Sequence, residues 1–389
     1  MSQTADMEKQ TQSLNSLVAE AVRATSKPVE QATTLPPACF TDLDFFNQEI
    51  EAIFRKEWLC VGHVSQIPNR GDYFTTQIFD EPVVVTRDRA DEIHALSSVC
   101  RHRWMPVIEG AGNSGTLSCP YHHWTYGLDG QLMAAPLMEQ AEGFNAKECR
   151  LPEFRSEIWQ GWIFVSLDEQ ASPLAPRLQG LSQELAPWKI DEMEVIGPVE
   201  FESPYNWKIL VDNFMEAYHH IAIHAETFEP IHPAAMTSVD AGDEPFSVIR
   251  MPTKDGSEIP GRFQPIEGLT DKQKTVFSAF NLYPNHLFAT LPDYVPWYQF
   301  ELKDVDHFNL KVFILLPKGV RDDPAQAEAV QAMLDGAKYI HEEDIVACEA
   351  VQKGLQSDRV AAGRLSHLEA AIWRHHNWVL QRVLENSGG

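Results

Sequence analysis

Apolar and polar positions follow different periods in successive stretches of this 389-residue chain. Residues 1–35 are polar and weakly patterned, which predicts a flexible or loosely helical lead-in ending at Leu35-Pro36-Pro37. Over Phe45 to Trp58 (FFNQEIEAIFRKEW) the apolar side chains recur three and four apart, the spacing of one helix face. From about Gly71 the runs become short and β-rich: DYFTTQIF, EPVVVTRD, EIHALSSV, GTLSCPYH and GWIFVSL. Turn residues separate them, which predicts a compact β domain up to about Asp168. A Pro- and Leu-rich connector follows from Ala171 to Glu194, and NWKILVDNFMEAYHHIAIH reads as a helix after Asn206. Strand-like runs return over 276–316, and Asp323 to Leu384 is helical by pattern. The expected fold class is α+β: a β-rich domain, then an antiparallel sheet covered by helices. The expected divisions are a lead-in over 1–44 packed on the last domain, a β-rich domain over 45–168 and the sheet-and-helix domain over 169–389.

Composition narrows the partners. Apolar residues make up 44% and charged residues 22%, an ordinary globular balance that excludes a disordered or fibrous chain. The formal net charge is −25, which repels nucleic acid and anionic membrane, so neither is expected as a partner. No stretch is apolar and long enough to span a bilayer, and the N-terminal residues lack an apolar signal core. The six cysteines are irregularly spaced along a long chain, unlike a disulfide framework. A cytoplasmic protein is expected.

Two cysteines and three histidines, residue types that bind metals, fall close together in CRHRWMPVIEGAGNSGTLSCPYHHW. The arms are Cys100-x-His102 and Cys119-x-x-His122, so each carries one sulfur and one nitrogen ligand. Imidazoles bring less negative charge than thiolates, and two of them on one iron raise the potential of an iron–sulfur cluster. A structural zinc site is the competing reading. Zinc fingers, however, pair Cys with Cys and His with His at wider gaps, and these mixed arms do not follow that pattern. His123 is a spare histidine beside the second arm. Between the arms, Gly110 to Gly115 spells GxGxxG. A dinucleotide fingerprint needs a strand before it and a helix after it, and no helix fits before Cys119, so these glycines read as a turn. Electrons for the cluster must then come from another protein.

His219 and His224 form a second candidate group. Five residues apart on a regular helix, they point about 140° away from each other. They converge only if the helix ends or bulges between them. Taken alone, such a pair is more often structural.

The two mixed arms resemble those of Rieske proteins, which hold a [2Fe–2S] cluster. The run Asn213-x-x-Glu216-x-Tyr218-His219-x-x-x-x-His224 resembles the catalytic motif of Rieske non-haem iron oxygenases, and HEEDIVACEAVQKGL supplies the late carboxylate, assigned to Asp344. The runs EIEAIFRKEWLCVGH, EPVVVTRD, YPNHLF and GRLSHLEAAIWRHHNW also look like blocks of that family. The resemblance implies a terminal oxygenase component with a Rieske [2Fe–2S] domain and a mononuclear Fe(II) domain. His219, His224 and Asp344 would hold the iron, and Glu342, Glu343 and Glu349 are rival carboxylates read as solvated. Glu216 would link His122 of a neighbouring subunit to His219, Asn213 would lie near the iron, and Tyr218 belongs to the same catalytic run. A closed homotrimer is implied, fed by a separate NAD(P)H-dependent reductase with or without a ferredoxin, and using O2.

Many relatives carry Asp where this chain has Glu216. Glutamate resembles the branch that oxidises quaternary ammonium compounds, so a quaternary ammonium or amine substrate is expected, hydroxylated or cleaved at a C–N bond. Hydroxylation of an aromatic compound is the alternative, and an electron-transfer Rieske protein is the alternative of another class. Phe277, Phe280, Tyr283, Phe288, Tyr294, Trp297, Tyr298 and Phe300 are candidates for a substrate pocket, most of them expected to be plain core.

Overall fold

The computed structural model describes residues 2–242 and 244–387. The chain divides into two compact units. One comprises Trp58–Ser182 and Lys189–Val195; the other comprises the residues up to Glu57, Gln183–Trp188 and Ile196 onward. The helix expected to open the β domain therefore belongs with the second sheet. It runs from Leu43 to Glu49 and ends in a π-turn, Ile50–Phe54, whose buried Ile53 and Phe54 face that unit's interior.

The β-rich unit holds three antiparallel sheets. The largest orders its strands Ile93–Ser97, Glu81–Arg87, Asp72–Ile78, Ala111–Asn113. A second orders Leu59–His63, Trp162–Ser166, Arg155–Trp159. The third is a small ribbon of Leu117–Ser118, Thr125–Tyr126 and Leu132–Ala134. Val61, Ile67, Phe74, Val83, Val85, Ala95, Ile163 and Val165 form one core between the two larger sheets. The glycine run expected as a turn is partly a strand: Ala111–Asn113 pairs with Asp72–Phe74, and only Gly110 takes a left-handed φ of 76°.

The other unit is built on a seven-stranded sheet. Its order is Glu194–Ser203, His307–Leu316, Val295–Asp304, His286–Thr290, Val276–Leu282, Phe246–Pro252, Ser238–Val239. Burial alternates from Val295 to Phe300 in the strand Val295–Asp304, as a period-two strand with one face in the core requires. The helix Ala327–Leu355 buries Met333, His341, Asp344, Cys348 and Gln352, a stripe of helical spacing. The helix Ala370–Ser387 packs on the helix Ser2–Thr25 and on the Ile50–Phe54 turn, so the loosely helical lead-in is in fact a full helix.

Three residues lock the short helix Trp207–Phe214 against its surroundings. Asn206 caps it by accepting from the Lys208 N–H; its own N–H donates to Gln352 Oε1 at 2.9 Å, and its side-chain amide donates to the Val305 carbonyl at 2.6 Å. Lys208 and Glu49 form a fully buried ion pair at 2.8 Å, to which the Trp207 indole N–H adds a bond at 3.3 Å. Removing one partner of such a pair would strand a buried charge at a cost of about 3–5 kcal/mol. These ties fix the start of that helix, and the second candidate group begins just past its other end.

Candidate metal centres

Cys100 and Cys119 start two copies of one turn. In the first, the Cys100 N–H donates to the Met105 carbonyl (2.9 Å) and the Trp104 N–H donates back to the Cys100 carbonyl (3.0 Å). In the second, the Cys119 N–H donates to the Trp124 carbonyl (2.9 Å) and the His123 N–H donates to the Cys119 carbonyl (2.9 Å). Trp104 and His123 occupy the same place and share the same left-handed backbone, φ 59° and 57°. His123 is thus the backbone twin of Trp104 and is exposed, whereas the rings of His102 and His122 meet with centroids 4.6 Å apart. The Trp124 indole stacks on His102 at 4.9 Å and 7°. The buried Tyr126 hydroxyl accepts from the Arg101 N–H at 3.0 Å and lies 3.4 Å from Cys100 Sγ. His102 Nδ1 is buried with no hydrogen-bond partner among the described residues, a nitrogen lone pair that a metal would satisfy. Two buried thiols and two facing imidazoles fit a Rieske cluster.

The second group forms because the helix stops. Trp207–Phe214 ends, and Met215 and Ala217 leave helical geometry at φ −100° and −116°. Glu216 then performs two tasks at once. Its carboxylate accepts from the His219 backbone N–H at 3.0 Å, starting the turn Tyr218–Ile221, and from the His219 ring Nδ1 at 2.6 Å. The His224 ring comes round to 5.1 Å from that of His219, and its Nδ1 donates to Glu343 at 2.9 Å. A proton held on each Nδ1 leaves each Nε2 with a free lone pair. These two nitrogens lie 3.6 and 3.0 Å from Asp344 Oδ1, and one donor atom from each residue falls within 4.8 Å of the others. Oδ1 is buried and lies close to both Nε2 atoms, so the three donors are near enough together to share one metal ion. Burial alone would raise the Asp344 pKa; His224, His219 and His341 outweigh it and hold the carboxyl below its usual range. Two imidazoles and one ionised carboxylate on one side of that point fit ferrous iron with open positions.

The group ends a cavity of about 160 Å³ within this unit. Asn213 and Glu216 line it, as do Phe214, Phe228, Phe277, Tyr294 and Tyr298. Tyr218 does not; it is 49% exposed. Of the pocket candidates, Phe277, Tyr294 and Tyr298 reach the cavity, whereas the buried Phe280, Phe288 and Trp297 do not line it. His220 and His341 also line it, their pKa values lowered to about 3 and about 4, chiefly by burial, so both are neutral near pH 7. Sequence reasoning missed Glu343. Its charge and position predict a solvated rival to Asp344, but it holds His224 and accepts from the Thr227 hydroxyl at 3.0 Å. Its place one residue before Asp344 puts it about 100° round the helix, toward His224, a relation no spacing rule announces. Glu342 and Glu349 are exposed.

Residues 190–385 match the ring-hydroxylating alpha subunit catalytic domain, and residues 57–154 match the Rieske [2Fe-2S] domain. The chain belongs to the ring-hydroxylating alpha-subunit family. Its cofactors are accordingly a Rieske [2Fe–2S] cluster and a mononuclear iron. Among relatives, the carnitine monooxygenase oxygenase subunit of Acinetobacter baumannii is 33% identical over 211 residues, 54% of this chain and 55% of that protein. The match thus spans about half the length of that relative. The chloroplastic choline monooxygenase of Spinacia oleracea is 28% identical over 92% of this chain and 80% of its own length. A solved quaternary ammonium Rieske monooxygenase superposes with a TM-score of 0.80 at 25% identity, covering 92% of this chain and 97% of that one. The naphthalene 1,2-dioxygenase of Rhodococcus sp. shares the fold at a TM-score of 0.78 and 21% identity. As a member of the ring-hydroxylating family, the chain carries both expected halves, an α+β pair of Rieske and catalytic domains.

Proposed function

We propose that this family member is the terminal oxygenase of a multicomponent system that oxidises a quaternary ammonium compound. The observation that carries the reading is the cavity, where two imidazoles and a carboxylate meet under walls of Phe214, Phe228, Phe277, Tyr294 and Tyr298. Aromatic faces attract a trimethylammonium group, and the carbons next to its nitrogen then lie toward the metal ligands. Carnitine and choline oxygenases among the relatives support the same substrate class. Iron held by His219, His224 and Asp344 supplies O2 activation with two electrons from outside. The protein's own part is to orient both imidazoles through Glu216 and Glu343, keep the cavity apolar and hold the reacting carbon still. Hydroxylation next to nitrogen yields a carbinol; its C–N bond then breaks with the electron pair passing to nitrogen, leaving a tertiary amine and an aldehyde and releasing the hydroxyl proton.

Electrons are proposed to come from a separate NAD(P)H-dependent reductase, with or without a ferredoxin, to the Rieske cluster. Exposed Trp104, Met105 and Tyr121 surround the cluster turns and support a docking face there. Glu216 would take the electron from His122 of a neighbouring subunit to His219 in a head-to-tail homotrimer, a closed ring in which every cluster finds an iron. Beside the proposed cluster ligands Cys100 and Cys119, the other four cysteines are free thiols, which suits a cytoplasmic setting.

The test is turnover with a surrogate reductase and NADH, offering betaines, carnitine and choline beside aromatic acids and naphthalene. Amine and aldehyde formed in step with O2 uptake are expected. Ring cis-diols without amine release would overturn the substrate class, and a monomer that turns over at full rate would overturn the ring.

A further inference from the structure

We infer that the substrate carries an anionic group, a carboxylate by its geometry, docked on Arg262 at the outer end of the cavity. This rests on the proposed site but reaches past it, because the walls around the metal ligands select only a cationic or apolar end. The cavity-lining stripe of the helix Ala327–Leu355 is Met333, Gly336, Ala337, Ile340, His341 and Asp344. Arg262 Nη2 lies 3.5 Å from the place a Cβ on Gly336 would occupy. Gly336 and Asp344 are eight residues apart, which is ~12 Å along the helix axis. The guanidinium therefore sits a small molecule's length from the metal ligands.

Three observations mark it as a docking group. Arg262 is the one Lys or Arg lining the cavity, in a chain with a net charge of −25. Among the described residues its guanidinium has no ion pair or hydrogen bond, although acidic side chains are plentiful. The segment that carries it is nonetheless tethered: the Arg262 and Phe263 N–H groups donate to buried Asp293 Oδ2 at 2.7 and 2.9 Å. Gly261 permits this, since a Cβ there would meet that same oxygen at 3.0 Å. Asp293 Oδ2 thus binds the backbone of the segment, and the arginine side chain acts on that carboxyl only through its charge, without a hydrogen bond or ion pair to it. Arg262 is exposed, so it stands where the cavity opens to solvent and meets a ligand without being buried as a lone charge. A planar fork of donors there suits a carboxylate held in two-point contact. The substrate would then be a zwitterion with its ammonium end inward and its carboxylate outward.

The test is calorimetric binding to the iron-loaded, cluster-containing protein without O2, using matched pairs that differ only in the anion. One pair is 4-(trimethylammonio)butanoate and its primary amide; the other is benzoate and benzamide. Wild type should prefer the first acid over its amide roughly tenfold, the scale of one charge-assisted contact near solvent. Arg262→Gln should erase that preference and Arg262→Lys should keep part of it, with the cluster absorption and iron content of both variants unchanged. In turnover the loss should fall on KM and spare kcat. Arg262-dependent preference for benzoate alone would overturn the quaternary ammonium reading while Arg262 keeps its role. Equal binding of acid and amide in both pairs, loss of both members alike in Arg262→Gln, or binding of none of the four would overturn the role of Arg262.

Discussion

The proposed ligands of the cluster come from two copies of one turn, Cys100–Met105 and Cys119–Trp124, each closed by the same pair of backbone hydrogen bonds. The proposed ligands of the iron come from the turn after an interrupted helix and, far along the chain, from the helix Ala327–Leu355. In the first centre the backbone sets the donor positions, and side-chain contacts such as Trp124 on His102 only cover them. In the second, side chains set the positions: Glu216 and Glu343 each hold one imidazole by Nδ1. A centre held by its backbone keeps its ligands through a single change nearby; one held by carboxylates does not.

The largest effect should come from removing the distant ligand. Asp344→Ala takes away the carboxylate that lies 3.6 and 3.0 Å from the two Nε2 atoms and leaves the imidazoles without that third donor. The variant should lose its mononuclear iron, and with it oxygenation, while keeping the absorption of the Rieske cluster. Metal analysis set against the visible spectrum reads both centres in one sample. Loss of the cluster along with the iron would show that the two sites are not independently built.

A smaller effect should follow from the carboxylate behind the ligand. Glu343→Gln still fills the space beside His224 and Thr227 but no longer offers a full negative charge to Nδ1. Partners of this kind are worth about 10- to 100-fold in metal affinity. Competition with a chelator should show iron bound more weakly by that order, with the cluster untouched. Unchanged affinity would mean that the ring of His224 is placed by packing against His220 and Phe228 instead.

The same contrast explains what could be read from the sequence. Cys100, His102, Cys119 and His122 stand out as a group in the sequence because local turns set their spacing, and in the structure the His122 ring meets that of His102 while His123 is exposed. His219 and His224 were legible only through the family resemblance, since their spacing argues against convergence until the helix is known to stop at Phe214. Glu343 and Arg262 were not legible. One acts through rotation about a helix and the other through a tether to Asp293, and both depend on contacts between segments distant in sequence. Tyr218 shows the converse: a place within a recognised run did not bring its side chain to the cavity. The strand periods disclosed both β-rich regions, but the Leu43–Glu49 helix joined the unit that follows the β domain in sequence, because its Glu49 pairs with Lys208.

The smallest effect tests whether side chains tune the cluster even where the backbone builds it. The Arg101 N–H already donates to the Tyr126 hydroxyl oxygen, so the phenol proton is free to point at Cys100 Sγ, 3.4 Å away. A hydrogen bond to a cluster sulfur favours the reduced, more negative state and so raises the potential. Tyr126 is fully buried, and burial, first among its influences, pushes its pKa well above the usual phenol value, so the proton stays in place across the working pH range. Tyr126→Phe deletes that bond and keeps the ring in its core among Leu117, Trp124 and Leu132. One bond of about 1 kcal/mol corresponds to a fall of ~40 mV for a one-electron couple. A redox titration followed by the cluster's electron paramagnetic resonance signal measures it, and turnover should slow through electron transfer while iron content holds. A potential that stays put or rises would mean that the sulfur does not feel Tyr126, and that the backbone turns govern the cluster's potential as well as its position.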